Sequence, residues 1–255
     1  DSETVNAFLT FQSLYPKLRM VLYQNLGEFV SVLNEALSDA YMDVVMLALS
    51  HPLITDLVNV RDWPFRRTLL QCAFEKCRLE AVKVLLQVPG IDVNVTDKDG
   101  HSAIYLLPHK HEVVAQFIDL LQVPEINTLL QRYRSDFVSV LGRALRFNDI
   151  NSVKLCIAQP WFPNLVNVTC NEHGYTLLHY AFQNDRLDQV VQLMRQPEID
   201  LFIKDRDGRI AFQYLSSGFM SRMRFFSIIL GCRPSLLAYA CRALLWNNED
   251  AFAGL

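Results

Sequence analysis

Thr176-Leu-Leu-His-Tyr-Ala181 is the stretch on which the reading of the fold turns. Its pattern, Thr or Ser, then Leu or Ile two positions on, then Ala or Leu five positions on, keeps returning. It appears as Ser31-Val-Leu-Asn-Glu-Ala36, Thr68-Leu-Leu-Gln-Cys-Ala73, Ser102-Ala-Ile-Tyr-Leu-Leu107 and Ser139-Val-Leu-Gly-Arg-Ala144, and in degenerate form as Ile210-Ala-Phe-Gln-Tyr-Leu215. The last positions of the copies, 36, 73, 107, 144, 181 and 215, are separated by 37, 34, 37, 37 and 34 residues. A self-similar period of this length is the mark of a repeat architecture, in which each unit buries its apolar face only against its neighbours.

Working outward, most copies are followed by a short polar break and a second apolar segment: Met42–Leu49, Leu79–Leu86, Asn151–Ile157 and Leu187–Met194. Apolar residues three and four apart in these segments predict amphipathic helices. After the second helix come Pro89-Gly-Ile-Asp-Val-Asn-Val-Thr-Asp-Lys-Asp-Gly100 and Pro197-Glu-Ile-Asp-Leu-Phe-Ile-Lys-Asp-Arg-Asp-Gly208. Proline stops the helix there, and the Asp/Gly cluster makes a turn.

On these motifs the chain resembles the ankyrin-repeat family from about Glu28 to Cys232, most closely at Thr176 to Ala181. The resemblance implies an all-α solenoid of about six repeats with short hairpin fingers. The Gly often found between the helices of such repeats is replaced by the pairs Asn148-Asp149 and Asn184-Asp185, which turn a chain through side-chain hydrogen bonds and tolerance of left-handed backbone. A higher-order duplication is also legible. Phe29-Val-Ser-Val-Leu33 returns as Phe137-Val-Ser-Val-Leu141, and Leu57-Val-Asn-Val60 as Leu165-Val-Asn-Val168, both after 108 residues. The same shift maps Thr68 onto Thr176, Pro89 onto Pro197, Asp92 onto Asp200 and Gly100 onto Gly208. Two tandem three-repeat blocks are therefore expected: a capping helix at 1–27, repeats at 28–127, a linker and repeats at 128–232, and a helical cap or partner-binding segment at 233–255.

Composition excludes several classes. The chain has 255 residues, 51% of them hydrophobic, with a formal net charge of −3 and a pI near 6.1. That balance offers no concentrated basic surface for nucleic acid or an anionic membrane. No apolar run is long enough to span a bilayer, and Asp1-Ser-Glu-Thr4 lacks the basic and apolar regions of a signal peptide. The cysteines Cys72, Cys77, Cys156, Cys170, Cys232 and Cys241 are scattered without a C-x-x-C pair, which fits a reducing cytoplasm. No phosphate-binding glycine loop, nucleophile elbow or His-Glu-x-x-His sequence is present, so no enzyme activity and no cofactor are expected. The histidines, of which only His109/His111 and Cys170/His173 are locally paired, fall short of the four convergent ligands that structural zinc needs, so no metal is expected either.

By the family's geometry, finger tips and inner helix positions hold a protein partner on a concave surface. The resemblance assigns to that surface Trp63, Phe65, Arg66, Lys98, His101, Tyr105, His173, Tyr175, Arg206, Arg209 and Gln213. Trp, Tyr and Arg suit such a role because they bury much area at small entropic cost. Trp161 and Phe162, between prolines in a long loop, either dock a partner or fold back beneath the loop. Leu86 to Asn94 is similar to the context that asparaginyl hydroxylases accept in ankyrin hairpins, which makes Asn94 a candidate modification site against an ordinary hairpin hydrogen bond. His179 stands where the family uses an imidazole to bind neighbouring loops. Ser235 to Leu244 is similar to the box by which SOCS-box proteins grip elongin C, with Leu236, Ala240 and Leu244 on one stripe that would equally cap a solenoid. The expected function is thus a protein-interaction scaffold, with repeats as divergent as those of bacterial ankyrin effectors. The alternatives are a ubiquitin-ligase substrate adaptor recruiting elongin C and a non-catalytic targeting region of a larger enzyme.

Overall fold

The computed structural model describes residues 25–38, 41–51, 54–62, 65–122 and 124–214. Contacts divide the chain into two units. The first runs up to Pro108 and includes Gln116–Tyr133; the second takes His109–Ala115 and the residues from Arg134 onward.

The described part of the first unit holds α1 (Leu26–Ser38), α2 (Met42–Ser50), a short α3 (Ile54–Leu57), α4 (Leu69–Glu75), α5 (Leu79–Leu86) and a 3-10 turn at Ile104–Leu106. Next come α6 (His111–Leu120), which spans the division, and α7 (Pro124–Arg132). The second unit holds α8 (Arg134–Arg146), α9 (Ile150–Ile157), a 3-10 turn at Phe162–Asn164, α10 (Leu177–Gln183), α11 (Leu187–Met194) and a last 3-10 turn at Ala211–Tyr214. The starts of α1 and α8, α2 and α9, α4 and α10, and α5 and α11 each stand 108 residues apart. Among the described residues the only extended pairing is one bridge between Lys204 and Ile210. The described residues are thus all-helical, with paired helices joined by short fingers, as the resemblance implied.

Two first helices, α4 and α10, begin where a threonine caps them. Thr68 and Thr176 adopt extended backbone and take the third amide of the helix on their hydroxyls, from Gln71 N and His179 N, both at 3.4 Å. The helices then bury one stripe. Phe74 meets Phe117 edge-on at 6.1 Å in the first unit, and Phe182 meets Phe212 at 5.0 Å in the second. Leu69, Ala73, Phe74, Leu177, Ala181 and Phe182 are fully buried. Burying a side chain of Leu or Phe size contributes about 1.5–3 kcal/mol each, which is why seven-residue helices too short to persist alone are stable in the stack.

Turns between paired helices need left-handed backbone. Asn148 has φ 67° and Asp185 φ 54°, so one member of each polar pair does the work that glycine usually does, and Cys77 at φ 58° does so in the first unit. Cys77 and Asp185 are again 108 apart.

Two further fasteners repeat at that spacing. Arg78 Nε donates to Leu37 O and Arg186 Nε to Leu145 O, both at 2.9 Å, so a guanidinium satisfies open carbonyls at the end of the preceding first helix. Asn59 donates to Gly90 O at 2.8 Å and accepts from Asp92 N at 2.7 Å. Asn167 does the same with Glu198 O at 2.7 Å and Asp200 N at 2.8 Å, clasping one loop to the next.

One core position shows how the two units diverged together. A Cβ on Gly142 would lie 2.5–2.7 Å from ring carbons of Tyr180. In the first unit the matching residues are Asn34 and Cys72: a small residue faces the polar side chain, and a ring faces the bare backbone. We expect Gly142→Ala to cost about 1–3 kcal/mol in chemical denaturation through overpacking. In a Tyr180→Cys background the same change should turn stabilising, because Ala exceeds Gly in helix propensity by roughly 1 kcal/mol. Equal cost in both backgrounds would contradict this packing account.

Candidate protein-binding surface

The fingers are built on buried aspartates. Asp97 N donates to His101 O at 3.0 Å, while its Oδ1 accepts from Asp99 N and His101 N, both at 2.9 Å. Asp205 repeats the motif with Arg209 O, Asp207 N and Arg209 N, each at 2.9 Å. In the longer fingers Asp62 N donates to Arg67 O at 2.8 Å and its Oδ1 accepts from Arg67 N at 2.6 Å, whereas Cys170 keeps the backbone bond to Tyr175 O but has no carboxylate to make the second. Rigid fingers hold the residues between these anchors out from the first helices.

The residue three positions into α4 and into α10 ties a finger down. Gln71 accepts from Thr68 N at 2.9 Å and donates to Val95 O and His101 O, both at 3.1 Å. His179 takes the matching place. Its Nδ1 accepts from Thr176 N at 3.2 Å, which leaves the proton on Nε2, donated to Arg209 O at 3.2 Å. Burial holds this imidazole below its ordinary 6.5, against the opposing Arg209 carbonyl and the Asp205 charge. The imidazole is a fastener, as the family resemblance implied.

Its titration has a defined sign. As pH falls below about 6.5 the unfolded chain takes up a proton that the folded chain refuses, so stability declines until the lower folded value is reached. His179→Gln, with the first unit's own residue, should keep stability at pH 7.5 within about 1 kcal/mol and flatten the fall toward pH 5.5. His109, also held below 6.5 by burial and by Arg143, leaves part of the slope in place. Denaturation curves across that range with an unchanged slope would show that His179 is not the group responsible.

The expected surface residues fall into two clusters, one per unit. In the first, Phe65 is 45% exposed, with Arg67 at 5.1 Å and Lys98 at 5.4 Å from its ring centre. His101 stacks on Tyr105 at 3.9 Å and reaches Asp97 at 3.4 Å. Arg66 takes left-handed backbone at φ 55°, where the second unit has Gly174. In the second cluster Tyr175 meets Tyr180 and Tyr214 edge-on, both at 5.3 Å, and Tyr175 donates to the Tyr214 hydroxyl at 3.0 Å. His173 packs beside Tyr175 at 5.2 Å, and Arg209 lies 5.7 Å from the Tyr214 ring and ion-pairs with Asp207 at 3.5 Å. Arg206 donates to Asn171 O, and Gln213 is exposed. Trp63, Leu236, Ala240 and Leu244 lie outside the described residues, as does all but the end of the expected capping helix at 1–27.

The loop aromatics resolve differently. Phe162 is fully buried, and Trp161 is half-buried, edge-on to Phe137 at 6.3 Å. Phe162 is therefore a core residue, not a surface contact, because the 3-10 turn at 162–164 points its ring inward. Asn94 is exposed, and its side-chain oxygen accepts from the Tyr133 hydroxyl at 2.9 Å instead of bridging its own hairpin.

Sequence reading passed over Tyr180, Tyr214, Arg78 and Arg186. The arginines carry a signal that was there to be found, identity under the 108-residue shift; the tyrosines carry the opposite one, replacement of Cys72 and Leu106 at matching positions. Burial raises the Cys72 thiol to about 12 and raises Cys156 as well, so both stay protonated and poorly nucleophilic at neutral pH.

One solved structure agrees with this architecture, and two further ankyrin repeat domains are similar at lower scores. EF0377, described as an ankyrin repeat protein, matches 80% of this chain and 98% of its own at 21% identity, with a TM-score of 0.52. The ankyrin repeat domain of Bcl-3 matches 77% of this chain and 96% of its own at 18% identity and a TM-score of 0.45. The human ASB11 ankyrin repeat domain matches 77% and 96% at 14% identity and a TM-score of 0.41. No protein-family model matches the sequence, and no curated protein does. The chain has the ankyrin-repeat fold. Among the described residues no helix is long and apolar enough to cross a membrane.

Proposed function

We propose that this chain is a non-catalytic scaffold that holds a protein partner against its fingers and first helices. One observation carries the reading. Under the 108-residue shift, many residues that hold the fold are kept, among them Thr68/Thr176, Asn59/Asn167, Arg78/Arg186 and Asp97/Asp205, and Gln71 is replaced by His179 in the same role. Finger and inner-helix residues are exchanged in character: Phe65 for His173, Arg67 for Tyr175, Glu35 for Arg143. A duplicated block that keeps its fasteners while its outward residues drift in charge and aromaticity presents two different contact surfaces on one framework. Buried free thiols at Cys72, Cys156 and Cys170 suit a reducing cytoplasm.

Binding energy in such surfaces concentrates in a few aromatic and arginine positions. Affinity purification from cells should yield a partner whose binding is weakened about tenfold or more by His173→Ala/Arg206→Ala/Arg209→Ala or by Phe65→Ala/Lys98→Ala. These side chains are exposed, so melting temperatures should stay within a few degrees of the parent. Full binding by a chain carrying all five substitutions would refute the reading.

A further inference from the structure

A groove of about 390 Å³ opens on the first unit between α1, the Asp62–Arg67 finger and α4. Its charges do not balance locally. Arg67 and Lys76 both lean on Glu75, at 2.6 Å and 3.7 Å, and Arg67 also faces Asp97 at 3.8 Å. That leaves Glu35 and Asp62, with no cation within ion-pair distance among the described residues. Asp62 is buried, its Oδ2 held by the Asn34 amide at 3.0 Å and its Oδ1 by Arg67 N at 2.6 Å. The Glu35 carboxylate is exposed.

Asn34 adds a second and independent sign. It is 8% exposed and lines the groove, and because its NH2 is committed to Asp62, its Oδ1 is left a buried acceptor with no donor among the described residues. An orphaned acceptor costs roughly 1–3 kcal/mol, a cost that an N–H reaching it through a small shift of the groove wall would remove. Two carboxylates, an unused carbonyl and the exposed edge of Phe65 together suit a side chain with a hydrocarbon stem and a cationic head.

The second unit shows that this arrangement is not forced by the fold. At the matching positions Glu35 becomes Arg143, Asp62 becomes Cys170, and Asn34 and Cys72 become Gly142 and Tyr180, whose ring lies directly on the glycine and whose hydroxyl donates to Cys170 Sγ at 3.4 Å. The acids, the orphaned acceptor and the space are particular to the first copy.

We infer that the groove beside α1 receives a lysine or arginine side chain from an extended segment of the partner. The inference rests on the scaffold reading and specifies its chemistry at one place.

The test is selection of a random peptide library displayed on phage against the whole chain, followed by binding of synthetic versions of the enriched peptides. Enriched peptides should share a Lys or Arg whose replacement by Ala weakens binding about tenfold or more. Glu35→Arg, which installs the second unit's own residue, should weaken binding as much, while Asp188→Arg on α11 should not. Peptides that lack a shared basic residue, or that bind the Glu35→Arg chain as well as the parent, would overturn the inference yet leave the scaffold reading standing. Selection that enriches no peptide over an unrelated folded protein would count against both. Circular dichroism of Glu35→Arg separates lost binding from lost folding, and Glu35→Gln, a milder change, should give an intermediate loss.

Discussion

Phe162→Ala is expected to remove about 3–5 kcal/mol of stability, the usual cost of emptying a phenylalanine site in a core. The ring is wholly enclosed in the second unit, in the 3-10 turn that answers α3 of the first, beside Leu165 and Val166, which are buried as well. Trp161→Ala should cost much less, because that ring is half-exposed and meets Phe137 only edge-on at 6.3 Å. Urea denaturation followed by circular dichroism measures both. Were Phe162 instead a surface anchor for a partner, its removal would leave the free chain's stability unchanged and weaken binding alone.

The second large effect should come from Asp205→Ala, at about 3 kcal/mol or more. The carboxylate closes a finger through Asp207 N and Arg209 N, each at 2.9 Å, and its Oδ2 accepts from the Tyr214 hydroxyl at 2.5 Å. Removing it strands two backbone donors and breaks the Tyr175–Tyr214–Asp205 chain of hydroxyls. Burial alone would raise this carboxyl, but the Tyr214 hydroxyl, the two amides and the His179 ring outweigh it and hold the group below its ordinary 3.8. Its stabilisation is therefore complete above the unfolded value and is lost as pH falls through the lower folded one. Asp97→Ala should cost clearly less. It has the same two backbone bonds, but Leu106 replaces Tyr214, and among the described residues its Oδ2 meets only His101 and Arg67, at 3.4 and 3.8 Å. Equal losses for the two aspartates would show that the hydroxyl chain contributes nothing.

Much of the fold was legible because it rests on local chemistry. The Thr caps, the proline and Asp-Gly turns and the apolar spacing each fix a helix end or face within a few residues, so Thr68 and Thr176 mark helix starts without tertiary information. The 108-residue shift was readable for a related reason, since fasteners such as Asn59 and Asn167 are answered by partners one repeat away in sequence. The surface was less legible. Whether Phe162 faces inward depends on a turn whose direction the Pro-Trp-Phe-Pro string does not specify. The Asn34 groove depends on Asn34, Asp62 and Cys72 meeting from α1, a finger and α4, and on the bare backbone that lets Tyr180 fill the equivalent place. Such compensation among distant residues leaves no periodic trace.

The most direct test of the central claim is amide hydrogen exchange of the chain with and without its captured partner. Added protection should appear in the fingers and first helices, at 62–75 and 97–106 or at 170–183 and 205–214, while α5 and α11 remain as in the free chain. Protection confined to α5 and α11, or to residues beyond 214, would contradict the account.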